Sequence, residues 1–208
     1  MKRILFSSKN KCKFGCLYCF AQLGDYDKYF YDKENLYKEF DVFYPACDSE
    51  IESIDFDELI RYIAKSKRPM VVAISTKSKI NNRFLKCFLK VDKELKKHGG
   101  FLKIGITITN KSQIDVLEPK TCSFKDRINN LKLLKKNNIF SFVVMRPILP
   151  FLDKKEFKEI IDDTKDFTNY YLLGGLYIFK SSMFYKKYIK DDSNLTIRQV
   201  DWLKNKPK

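Results

Sequence analysis

Three cysteines stand within eight residues, in the stretch CKFGCLYC from Cys12 to Cys19. Their spacing is C-x3-C-x2-C, and no fourth cysteine follows nearby. Thiolates at close spacing ligate zinc or iron–sulfur clusters. Structural zinc takes four protein ligands, usually as two close pairs, and the chain offers no second pair such as C-x2-C or H-x3-H. The one histidine, His98, falls at an expected helix end, where capping explains it. A disulfide would leave one of the three thiols over. A [4Fe–4S] cluster has four irons, each normally held by a cysteine, so three cysteines leave one iron open to a non-protein ligand. A closed cluster carries electrons, whereas an open iron binds a substrate or cofactor. Zinc and unligated thiols stay as alternatives at this point.

The elements that must position this triplet alternate along the chain. Apolar, strand-like segments fall at 3–8, 41–47, 70–76, 101–109, 139–148 and 170–179, the last interrupted by Gly174 and Gly175. The third, MVVAIST, is apolar nearly throughout, as a strand covered on both faces should be. Helix-like segments lie between them. Asp55 with Glu58, Ser123 with Asp126 and Asp153 with Glu156 are start signals ahead of apolar stripes. A stripe of Phe84, Leu85, Phe88, Leu89 and Leu95 closes at Lys96, Lys97, His98 and two glycines. Residues 33–40 are a further helical candidate. Six strands alternating with helices imply an α/β fold with a parallel sheet and right-handed crossovers. Chemistry in a parallel barrel sits in loops at the C-terminal ends of the strands, and the cysteine triplet directly follows the first strand.

Composition bounds the rest. A chain of 208 residues with 44% hydrophobic content suits one domain with a full core. No apolar run is long enough to cross a membrane, and the start, MKRILFSSKNKC, is no secretory signal. Six irregularly spaced cysteines then argue for reduced thiols and a cytoplasmic location. The net charge of +15 favours polyanions such as nucleic acid. Arginine supplies only seven of the 41 basic residues, so a lysine-rich, solubilised surface explains part of that excess.

A C-x3-C-x-aromatic-C motif after the first strand of such a chain resembles the radical S-adenosylmethionine (SAM) superfamily. The resemblance implies a partial (β/α)6 TIM-like barrel, with residues 1–179 as its core and 180–208 as a short basic C-terminal segment. It implies a [4Fe–4S] cluster on Cys12, Cys16 and Cys19 whose open iron chelates SAM. It also implies reductive cleavage of SAM to a 5′-deoxyadenosyl radical and an electron donor such as flavodoxin or ferredoxin. Tyr18 would lie against the adenine.

Further elements narrow the likeness. Ala46-Cys47-Asp48-Ser49, Thr76-Lys77-Ser78, Thr107-Ile108-Thr109, Leu117-Glu118-Pro119, Arg127 and Arg146-Pro147-Ile148-Leu149-Pro150 together resemble the spore photoproduct lyase and DNA repair photolyase-like group. That resemblance makes Cys47 a hydrogen-atom donor and places Ser49, Lys77 and Thr107 on SAM. A SAM carboxylate needs a cation or hydroxyl donors, and these types supply them. Glu118 and Arg127 are expected to pair and brace a loop, with Arg127 as a further SAM contact. The pattern departs at Phe20, where the lyase has a relay tyrosine, and in the shortness of the chain on both sides of the barrel. The expectation is therefore a radical SAM enzyme, lyase-like, with nucleic acid as a candidate substrate. The alternative is a non-catalytic iron–sulfur or zinc protein that binds nucleic acid.

Overall fold

Six strands form one sheet in the computed structural model, which describes residues 3–6, 12–19, 41–178 and 182–189. They are β1 (Arg3–Leu5), β2 (Val42–Tyr44), β3 (Val71–Thr76), β4 (Phe101–Thr107), β5 (Phe140–Met145) and β6 (Tyr171–Leu173). Their spatial order is their order in sequence, and every pairing is parallel. Among the described residues β1 and β6 do not pair with each other, so the sheet is an open, partial (β/α)6 barrel. The helices are α1 (Phe56–Ser66), α2 (Asn82–Lys96), the single turn α3 (Ile114–Leu117), α4 (Phe124–Lys136) and α5 (Lys154–Thr164).

The expected start signals act as drawn. The side chains of Asp55, Ser123 and Asp153 accept the N–H groups of Glu58, Asp126 and Glu156, and so cap α1, α4 and α5. Asn81 does the same for α2 through Phe84 N–H. At the far end of α2 the Gly100 N–H returns to the Leu95 carbonyl and closes the helix.

Strand alternation divides the side chains between two faces. Val72, Ile74, Leu102, Ile104, Ile106, Val143 and Met145 point toward the helices, in a core shared with Phe56, Leu59, Ile63, Phe88, Leu95, Leu131 and Ile160. The opposite face is the barrel interior. A second, smaller apolar cluster sits at the C-terminal ends of the strands. It joins Cys16 and Tyr18 to Leu117, Leu149, Phe184, Tyr185 and Ile189.

The strands are shorter than the apolar runs suggest. β2 ends at Tyr44 because Pro45, at the start of the following turn, has no N–H for the ladder. Pro147 bounds β5 in the same way, two residues after Met145. β6 stops at Leu173, before the two glycines. Residues 182–189, expected in the C-terminal segment, pack on the cysteine loop, with the Phe184 and Tyr18 rings edge to face at 6.0 Å. The helical candidate at 33–40, Phe20 and the tail after residue 189 lie outside the described residues. No helix among the described residues is long and apolar enough to cross a membrane.

Candidate cofactor site

The cysteine loop leaves the C-terminal end of β1 and turns at Gly15, whose φ of 64° lies in the left-handed region that glycine enters at no steric cost. Two backbone bonds hold it. The Cys19 N–H donates to the Cys16 carbonyl at 3.0 Å, and the Leu17 N–H donates to the Leu117 carbonyl at 2.9 Å. Cys16 is buried; Cys12 and Cys19 are half-buried. All six described cysteines are free thiols. Burial pushes the Cys12 thiol up, and pushes Cys16 up to about 12 against the pull of Lys77. Among the described residues no three Cys, His, Asp or Glu side chains gather into a single-ion site.

Lys77 follows the end of β3 and faces this loop. Its ammonium lies 5.4 Å from the centre of the Tyr18 ring. Burial draws its pKa down, but Tyr18, Glu118, Cys16 and Glu50 all lie close enough to outweigh that, and the net displacement is upward. The ammonium is therefore held charged at the mouth of the barrel.

Glu50 fixes the turn that carries Lys77. Its carboxylate accepts the Thr76 hydroxyl at 2.5 Å, the Lys77 N–H at 3.0 and 3.2 Å, and the Ser78 hydroxyl at 3.3 Å. Ser78 also donates to Glu52 at 2.8 Å. Asn130 on α4 closes the other side, donating to the Ser78 carbonyl and accepting the Ile80 N–H. Sequence reasoning missed Glu50 and Asn130. Their partners lie 26 to 52 residues away, so no local pattern announces them.

A second buried network backs Tyr18. The phenol is bonded to Thr109 at 2.9 Å and donates to Glu118, which also accepts the Thr109 hydroxyl at 2.7 Å. Arg127 pairs with Glu118, as expected, with both side chains wholly enclosed at 0% exposure. Its remaining donors go to the carbonyls of Thr107 and Cys122 and to the Thr121 hydroxyl. The guanidinium thus stands behind the wall of the site, spent on the protein, and the side chains facing the mouth are others. Burial alone would raise the Glu118 carboxyl; Lys77 and Arg127 overcome it and hold the group below its ordinary range.

The other expected site residues come to the same end of the sheet. Thr107 is the last residue of β4, buried, on the interior face with its carbonyl held by Arg127. Cys47 and Ser49 are half-buried in the loop after β2, where the Cys47 N–H donates to the Phe6 carbonyl at 3.0 Å. Burial, and then the neighbouring Asp48, push the Cys47 thiol up to about 12, so it holds its hydrogen at neutral pH.

No family model matches the chain. An uncharacterized protein of Methanocaldococcus jannaschii is 28% identical over 202 aligned positions, covering 87% of this chain and 73% of that protein. Among solved structures, the fold is similar to spore photoproduct lyase. The lyase complexed with dinucleoside spore photoproduct matches at a TM-score of 0.52 and 20% identity, covering 76% of this chain and 51% of that one. A cysteine variant of the lyase, with the same dinucleoside, matches at 0.55 and 17% identity, covering 79% and 57%. The chain therefore spans roughly half the length of the lyase it resembles.

Proposed function

We propose that the chain is a radical SAM enzyme in which Cys12, Cys16 and Cys19 hold a [4Fe–4S] cluster with one open iron. The observation that carries the reading is that Cys12, Cys16 and Cys19 share one loop after β1, with the Lys77 ammonium 5.4 Å from the Tyr18 ring of that loop and close enough to act on the Cys12 and Cys16 thiols. The donor set fits. A single zinc ion needs its ligands to converge within about 2.0–2.3 Å of one point, whereas a cluster assigns each thiolate its own iron. When bound, the cluster supplies the electron that cleaves SAM to methionine and a 5′-deoxyadenosyl radical. The chain's own residues bind and orient the cofactor. Lys77 is the cation for the SAM carboxylate, and Ser49 and Thr107 add hydroxyl donors beside it. Tyr18 backs the adenine end. Arg127 and Glu118 act through position alone, holding Thr107, Thr109 and Tyr18 in place. Cys47 offers an S–H hydrogen atom to a substrate radical from the neighbouring strand end.

The likeness in fold to a lyase that binds a dinucleoside photoproduct, with the net charge of +15, supports nucleic acid as the substrate class. An electron donor of the flavodoxin or ferredoxin kind is part of the same proposal. The test is anaerobic reconstitution with iron and sulfide, followed by electron paramagnetic resonance of the reduced protein with and without SAM. A [4Fe–4S] signal that changes on adding SAM supports the open iron. A colourless zinc protein, or a cluster signal indifferent to SAM, contradicts it.

A further inference from the structure

The interior face of the sheet carries two cations, Arg3 on β1 and Lys103 on β4. Strand register places Arg3, Val42, Val71 and Phe101 in one row across this face. The next row holds Leu5, Tyr44, Ala73, Lys103 and Phe140, and the next Ser75, Gly105, Phe142 and Tyr170. Lys103 is half-buried, and its ammonium lies 6.0 Å from the centre of the Phe142 ring. No carboxylate among the described residues pairs with it. Burial lowers its pKa, and the Arg3 charge lowers it further.

Two neighbouring features give that ammonium a setting. Ala73, Ser75 and Gly105 are the small residues of the strand floor beside it, and the Phe142 ring covers that floor at Gly105. A β-carbon at Gly105 would stand 2.6 Å from Val144 Cγ2 and 2.8 Å from Phe142 Cζ, so the floor has no room for a larger residue. Around the floor stand exposed aromatic rings, with Phe101 and Phe140 at 6.0 Å and Phe140 and Tyr170 at 4.9 Å between centres. Phe101, Phe140 and Tyr170 are respectively 41, 39 and 59% exposed, although each lies in the sheet or beside it. A half-buried ammonium next to a like charge costs free energy unless an anion answers it. Cations beside open aromatic faces are the arrangement that takes a phosphate and the base attached to it.

We infer that Lys103 and Arg3 form a phosphate subsite inside the barrel, with Phe140, Phe142 and Tyr170 as the stacking surface for an adjacent base. The inference rests on the reading of the substrate as nucleic acid and names the residues that would select it. It places a phosphate next to the reacting nucleotide toward the N-terminal ends of β1 and β4, below the SAM-binding end of the sheet.

The test compares thymidylyl-thymidine, which carries one phosphate, with its uncharged methylphosphonate analogue, by equilibrium dialysis at low salt. Pyrimidines are used because a pocket shaped for the adenosine of SAM competes least for them. The intact chain should bind the phosphate form about tenfold more tightly, the lower end of the range for a charge-assisted contact at a half-exposed site. Lys103→Gln should erase that preference and Lys103→Arg should restore most of it, with thermal unfolding confirming that both variants fold. Equal binding of the two probes, no binding of either, or a preference untouched in Lys103→Gln would overturn the subsite and leave Lys103 resting on Phe142 alone. SAM cleavage is scored separately. Cleavage without a phosphate preference removes the subsite only; a phosphate preference without cleavage removes the radical chemistry only.

Discussion

Glu118→Gln tests whether Arg127 is a brace. The substitution keeps the shape of the side chain and a hydrogen-bonding carbonyl for Tyr18 and Thr109, but removes the charge opposite a guanidinium of 0% exposure. Breaking a buried ion pair from one side costs roughly 3–5 kcal/mol, because the remaining charge is left uncompensated. Arg127 keeps two backbone carbonyls and Thr121 as acceptors, which points to the lower end, about 3 kcal/mol. For a chain of this size that is a fall in Tm of roughly 6–12 °C. Urea unfolding with the thiols kept reduced measures the difference. The pH dependence gives a second reading. The folded Glu118 carboxyl sits below its ordinary value of 4.5. Its stabilisation is therefore complete above that value and is lost as pH falls toward the lower folded one. Glu118→Gln should remove that part of the acid sensitivity. A loss below about 1 kcal/mol in Glu118→Gln would refute the enclosed, pair-dependent brace, since that is the range of a surface ion pair.

Three further outcomes follow from the site. Lys77→Ala should weaken SAM binding roughly ten- to a hundredfold, the worth of a charge-assisted contact, with iron content unchanged; an unchanged SAM dissociation constant would leave Lys77 as a charge that only balances Glu118 and Glu50. Cys47→Ala should still yield 5′-deoxyadenosine but alter the substrate-derived products, and a product spectrum indifferent to the change would leave Cys47 as a packing residue. Gly105→Ala should destabilise the chain by about 1–3 kcal/mol, the usual cost of overpacking, because its methyl would meet Val144 and Phe142; unfolding at the wild-type urea midpoint would show that the floor has spare room.

The sequence made the order and type of the elements readable because each rests on local chemistry. Asp55, Ser123 and Asp153 cap the helices they precede. The apolar runs become the strands, trimmed where Pro45, Pro147 and Gly174 interrupt the ladder. The Glu118–Arg127 pair was legible because nine residues and one helical turn separate its members. What stayed hidden depends on distant parts of the chain. Glu50 anchors the Lys77 turn from the loop after a different strand, and nothing in the residues around it marks that role. The packing of Phe184 on Tyr18 joins segments with no shared period. The interior cations were invisible for a similar reason: Arg3 and Lys103 share one face only when four strands are set side by side.

On the proposed function, three thiols hold a cluster able to cleave SAM. The direct measurement is 5′-deoxyadenosine formed from SAM under dithionite by anaerobically reconstituted protein, alongside iron content, for the wild type and for Cys12→Ala, Cys16→Ala and Cys19→Ala. About four irons per chain and steady 5′-deoxyadenosine formation are expected in the wild type, with the brown chromophore and the product both lost in each variant. Full cluster content and undiminished cleavage in the Cys16→Ala protein would contradict that function.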